Sequence, residues 1–182
     1  MAAFTVIEHE EIATGGVVSW SETGIASSYD HLYLAVSGQS ERTGAYSDQW
    51  VFTLNGSTTT SEYSATTLVA GSTTPTSERY ATSVRGGFIY PTVPSPALSL
   101  ADTFGLITMW IPNYANTANF KQVLINNVFE NNSTTNNQWQ LALIAGVFHS
   151  TAAISEIGVT SRSGDGDIAE FSTFTLYGVT GA

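Results

Sequence analysis

The stretch Trp50-Val51-Phe52-Thr53-Leu54-Asn55 decides the fold class. Trp50, Phe52 and Leu54 fall on one side of an extended chain, and Val51, Thr53 and Asn55 on the other. This follows because successive side chains of a pleated strand point to opposite faces. The stretch runs into Asn55-Gly56, a pair that tolerates positive φ and suits a tight hairpin. Leu32-Leu34-Val36 upstream and Trp139-Leu141-Leu143 downstream repeat the period of two, so each set is expected to face a core. The four tryptophans, at 20, 50, 110 and 139, mostly occupy strand positions of this kind.

Working outward, strands are expected near 4–9, 16–20, 30–37, 49–55, 62–69, 84–90, 104–111, 120–130, 138–148, 154–160 and 169–179. Between them lie polar or proline-rich breaks. Residues 71–77 are rich in Ser and Thr around Pro75, and Asn131-Asn132-Ser133-Thr134-Thr135-Asn136-Asn137 is a polar loop. Pro91, Pro94 and Pro96 read as an extended crossover, because proline donates nothing to a ladder. A short helical turn is possible around Ser99-Leu100-Ala101-Asp102, but no long 3.6-residue pattern occurs. Regular strands with long crossings predict an all-β fold, an antiparallel two-sheet β-sandwich of jelly-roll-like type. An immunoglobulin-like sandwich is the alternative; its Cys-Trp-Cys marker is absent. One domain spanning 1–182 is expected, with residues 1–23 an edge strand or arm.

The net charge is −10, from five basic and fifteen acidic residues, with Lys121 the only lysine. Such a field repels nucleic acid, whose recognition needs many phosphate-neutralising cations. With no cysteine, disulfides, iron–sulfur clusters and thiol catalysis are excluded. The longest apolar run, Leu141–Phe148, is far short of the ~20 residues of a spanning helix. Met1–Phe4 lacks the basic start and apolar stretch of a signal peptide. No membrane association is expected.

A search for chemistry yields little. There is no Gly-x-Ser-x-Gly elbow, P-loop or Gly-x-Gly-x-x-Gly. His9, His31 and His149 lack zinc spacing, and His31 reads as a hydrogen-bonded structural residue. Asp165-Gly166-Asp167 with Glu170 offers oxygen ligands but fails the EF-hand template and reads as a turn. Asp30, Asp48, Asp102 and Glu130 are the carboxylates a glycosidase pair would draw on, and the sequence does not bring them together. Glu8, Glu10 and Glu11 form an acidic cluster suited to blunting an edge strand. Asn55-Gly56-Ser57 and Asn131-Asn132-Ser133 match the glycosylation pattern but read as turns. Tyr46, Tyr63, Tyr80, Tyr90 and Tyr114 lie at or near expected loops, where a ring with a polar tip can meet a partner or a sugar. Tyr114, Tyr80, Tyr46 and Asn116 are the candidate partner or glycan contacts. No catalytic residue, metal site or cofactor is expected.

Several segments are similar to those of small β-rich phage and viral-metagenome virion proteins. They are Phe4-Thr5-Val6-Ile7-Glu8, Val17-Val18-Ser19-Trp20, Ser28-Tyr29-Asp30-His31-Leu32-Tyr33-Leu34, Leu54-Asn55-Gly56 with Tyr63-Ser64, Asn113-Tyr114-Ala115-Asn116-Thr117, and Phe171-Ser172-Thr173-Phe174-Thr175-Leu176-Tyr177-Gly178-Val179. The resemblance covers nearly the whole chain. It implies a non-enzymatic virion protein on the outer surface of a phage particle: a capsid decoration (cement) protein that binds the major capsid protein and forms a homo-oligomer, with a trimer favoured. The alternative is a tail-fibre or receptor-binding module that recognises a host-surface glycan. A hydrolase acting on surface polysaccharide is the remaining possibility and would need a clustered carboxylate pair.

Overall fold

A computed structural model of the protein describes residues 3–83, 85–96, 98–99, 102–131, 139–164 and 166–181. The strands, in chain order, are β1 Ala3–Glu11, β2 Ser19–Thr23, β3 His31–Gly38, β4 Ser47–Leu54, β5 Tyr63–Ala70, β6 Thr76–Tyr80, β7 Thr92–Pro94, β8 Gly105–Pro112, β9 Lys121–Phe129, β10 Gln140–Phe148, β11 Glu156–Ser161 and β12 Thr173–Thr180. Every pairing is antiparallel. An eight-stranded sheet has the order β1-β12-β3-β8-β9-β10-β5-β6, and a four-stranded sheet the order β2-β11-β4-β7.

The order of the strands resolves the topology. β1-β12-β3-β8 facing β2-β11-β4-β7 is the eight-stranded jelly roll, in which the chain crosses between layers instead of closing local hairpins. Two insertions widen one layer. β5 and β6 enter between β4 and β7, and β9 and β10 between β8 and β11. All four add beyond β8, so the large sheet is twice the width of the small one.

The layers meet through side chains of the expected period. Trp50, Phe52 and Leu54 of β4, and Leu32, Leu34 and Val36 of β3, are all buried. Phe174 of β12 stacks between Trp20 and Trp50, with ring centroids 4.4 and 6.0 Å away. Inward-facing glycines in the large sheet seat some of the largest rings. A Cβ on Gly146 would lie 2.4 Å from Phe88, one on Gly38 2.5 Å from Trp50, and one on Gly178 2.3 Å from Tyr29. The absence of a side chain there is a packing requirement.

Asn127, on the inward face of β9, clasps the two sheets where the jelly roll meets its extension. Its carboxamide accepts from Thr92 N–H at 2.9 Å and donates to Thr92 O at 2.7 Å. A side chain of the large sheet thus completes the backbone pairing of β7, the edge strand of the small one. Tyr63 does a similar service at the Asn55-Gly56 turn. Its hydroxyl accepts from Leu54 N–H at 3.0 Å and donates to Ser57 O at 2.9 Å, and burial pushes its pKa up to about 12.

Several expectations need correction. Asn55 and Gly56 do take positive φ, 53° and 63°, and Ser57 N–H closes the turn on Leu54 O. The turn joins no hairpin, however; through a 3-10 turn at Thr60–Glu62 it carries the chain from β4 in one sheet to β5 in the other. Residues 85–90 form no strand and pair with β4 at an isolated Phe52–Phe88 bridge. Gly86 takes φ 64°, outside the extended region, which ends any regular strand there, and it has no room for a Cβ against Thr58 O. Conversely, part of the Ser/Thr-rich stretch forms β6, and the proline crossover contains β7, where proline is admissible because the strand is an edge. Of the Trp139-Leu141-Leu143 set, Leu141 and Leu143 point outward, with Ala142, Ile144 and Phe148 inward, and Trp139 precedes the strand. Trp110 and Trp139 are only half-buried. Residues 132–137, Leu100, Ala101 and Asp165, to which the polar loop, the helical turn and part of the acidic turn were assigned, lie outside the described residues.

Candidate interaction surface

The outer face of the large sheet is the most unusual surface of the molecule. The registers place four outward residues on each of six adjacent strands. These are Thr173, Thr175, Tyr177 and Val179 on β12, His31, Tyr33, Ala35 and Ser37 on β3, and Leu106, Thr108, Trp110 and Pro112 on β8. The face continues with Gln122, Leu124, Asn126 and Val128 on β9, Leu141, Leu143, Ala145 and Val147 on β10, and Ser64, Thr66, Leu68 and Ala70 on β5. No Asp, Glu, Lys or Arg occurs among these positions, in a chain of net charge −10. Charge resumes on the flanking edge strands, with Glu11 opposite Thr173 and Arg79 opposite Thr66.

Two apolar fields fill this face. The aliphatic one lies on the extension: Val128 stands between Leu106 and Leu141, and Leu143 beside Leu68. These side chains are 38–59% exposed. The aromatic one lies on the jelly roll, where Phe4 of β1 meets Tyr33 and Tyr177 edge-on at 5.8 and 5.9 Å. Tyr33 leads on to Trp110 at 6.2 Å, and His31 packs on Trp110 at 5.1 Å. Large exposed apolar patches of this kind mark sites of association. β10 carries the signal in its sequence: Leu141–Phe148 is apolar on both faces, as in strands covered on both sides.

The four residues expected to form a contact surface do not come together. Tyr114 is fully buried and is no surface contact. Its hydroxyl donates to Ala26 O and accepts from Tyr29 N–H, fixing the loop before β3, and burial raises its pKa. A ring at a strand's end packs over the sandwich edge when its hydroxyl finds backbone partners there. Asn116 is exposed, and its side chain accepts from Ala118 N–H at 2.7 Å. Tyr46 is exposed beside β7 at the opposite end of β8, a strand length of about 25 Å away. Tyr80 is half-buried against Tyr90 on the edge strand β6. Tyr63, also read as near a loop, is core.

The carboxylates are equally dispersed in role. Asp48 is buried and accepts from Ser40 at 3.0 Å and Ser163 at 3.1 Å, with Arg42 at 3.9 Å; desolvation raises its pKa against those favourable contacts. Asp30, Asp102 and Glu130 are exposed. Glu170 accepts from Gly15 N–H, and His31 accepts from Asn113 N–H. Among the described residues, no group of three or more His, Asp or Glu is placed to hold a metal ion, and no helix is long and apolar enough to cross a membrane. Lys121 is buried at the inward start of β9, where its ammonium donates to Asn119 O and Thr151 O; desolvation lowers its pKa.

No family model matches the chain, and no curated protein does. Among solved structures, one titled as that of infectious bursal disease virus, Gt strain, aligns over 98% of this chain and 40% of its own at 14% identity. Its TM-score is 0.13, so the alignment carries no structural argument; the chain spans well under two thirds of that protein.

Proposed function

We propose that this protein is a non-enzymatic structural component of a virus particle, a decoration protein that self-associates through the outer face of its large sheet and docks on the major capsid protein at the particle's outer surface. The observation that carries the self-association is the face without charge. In a chain of net charge −10, a surface that must meet its own copy is relieved of like-charge repulsion only if the acids are kept off it. A partner recognised by its basic surface would instead select for acids on that face.

The area suits the role. Six strands about 4.8 Å apart and about eight residues long cover about 750 Å², close to the ≈ 800 Å² each partner contributes to a standard interface. A face meeting the same face of a second copy is a two-fold contact. A threefold ring would instead set the aliphatic field of one copy against the aromatic field of the next. The virion setting is supported by the sequence resemblance and by the use of jelly rolls in viral capsids, although fold alone is a weak guide to function.

The test combines particles and a surface variant. Purified particles should carry the chain in fixed stoichiometry with the major capsid protein, and Leu141→Glu should dissociate the oligomer while leaving the β-sheet circular dichroism spectrum of the subunit unchanged. Absence from particles overturns the virion role. An oligomer unaffected by Leu141→Glu overturns the assignment of the face.

A further inference from the structure

Three of the five basic residues, Arg42, Arg85 and Arg162, converge on one groove. It opens at the Tyr46 end of the molecule, where the β5–β6 and β9–β10 extension overhangs the β4–β7 edge of the small sheet. Its volume is ≈ 590 Å³, within the usual range of small-ligand sites. Asp48 is the only acidic residue lining it among the described residues, and that carboxylate is already engaged with Ser40, Ser163 and Arg42. The groove is therefore a positive site on a strongly negative protein. Trp139, half-buried, forms one wall, and the remaining lining is rich in Ser, Thr and Gln. Arg162 is oriented by Gln49: its guanidinium donates to the Gln49 side chain, and its backbone N–H to Gln49 O at 2.8 Å. The Arg85 guanidinium is exposed at the rim.

We infer that this groove binds a carboxylated sugar. Arginine forks match a carboxylate in two parallel hydrogen bonds. An indole face offers apolar area to a pyranose ring, and hydroxyl and carboxamide side chains suit sugar hydroxyls. A long polyanion fits poorly, because beyond the groove it would meet the acidic field of the rest of the chain. None of the candidate contacts Tyr114, Tyr80, Tyr46 or Asn116 lines the groove. The inference stands independently of the proposed virion role, because it rests on a different surface.

The test is a titration of the full chain with trigalacturonic acid, with its methyl ester and with 3′-sialyllactose, followed by the tryptophan indole NMR signals, with Trp139→Phe assigning the relevant one. Inorganic phosphate serves as the non-sugar anion. At least one acidic sugar should shift the Trp139 signal with an affinity in the millimolar range or better, about tenfold or more above that of the ester or of phosphate. Arg85→Gln, at an exposed position, and Arg162→Gln should each weaken binding about tenfold with the fold intact by circular dichroism. No shift with either acidic sugar, equal binding of the ester or of phosphate, or unchanged affinity in Arg85→Gln would each overturn the inference.

Discussion

Replacing Asn127 with leucine removes the clasp between the two sheets while nearly conserving volume. The carboxamide makes its two best hydrogen bonds to the backbone of Thr92, at 2.9 and 2.7 Å, and two longer ones to Leu106 O and Gln140, both at 3.3 Å. Thr92 is 3% exposed, so neither its N–H nor its carbonyl can turn to water in the variant. Each orphaned group costs about 1–3 kcal/mol, and leucine's added apolar burial returns about 1 kcal/mol. The net loss should be about 1–5 kcal/mol, equivalent to roughly 2–20 °C in Tm for a domain of this size. Urea unfolding followed by tryptophan fluorescence measures it, and the slope with denaturant should stay at its wild-type value, because the surface exposed on unfolding hardly changes. A midpoint within about 0.5 kcal/mol of wild type would refute the view that this side chain joins the layers.

Other consequences follow from packing and charge. Trp50→Ala should cost about 3–5 kcal/mol, read by thermal or urea unfolding, because that ring is wholly buried against Phe174 and Gly38. Gly146→Val should lower stability by about 1–3 kcal/mol or more in the same assay, since a Cβ there meets the Phe88 ring. Burial, then Glu8 and Glu10, raises the Glu22 pKa above its ordinary 4.5, so its contribution to stability is full below pH 4.5 and lost as pH rises through the raised value. Glu22→Gln should therefore unfold at a higher denaturant concentration than wild type at pH 7, with the advantage shrinking as pH falls toward 4.5.

The fold class was legible because the core strands of the jelly roll alternate cleanly. The largest apolar side chains, Leu32, Leu34 and Val36 and then Trp50, Phe52 and Leu54, recur at every second position, which is the period of a strand. β10 shows where that signal fails. Leu141 through Phe148 is apolar on both faces, so the larger leucines suggested the core, while the sheet turns Ala142, Ile144 and Phe148 inward, where Phe148 packs on Tyr63 and Gly146 seats Phe88. β6 and β7 were hidden because Ser, Thr and Pro carry turn chemistry, and only their pairing to β5 and β4 makes them strands. The crossings between layers were equally hidden, since Asn55-Gly56 makes the same local turn whether or not its flanking strands pair. The interaction surface could not be read as a surface at all: its residues come from six strands spread over the chain, and the absence of charge becomes visible only when the register lines them up. The three arginines of the groove are likewise distant in sequence and meet only where the extension overhangs the small sheet.

Self-association through an uncharged sheet face is the central claim, and the molar mass of the wild-type chain tests it most directly. Sedimentation equilibrium across about 1–100 µM, the range in which a standard-sized interface should be populated, is expected to give a closed assembly of two or three copies, with outer-face residues such as Leu141 and Trp110 protected from covalent footprinting. A monomer of 19.4 kDa throughout, with that face freely labelled, would contradict it.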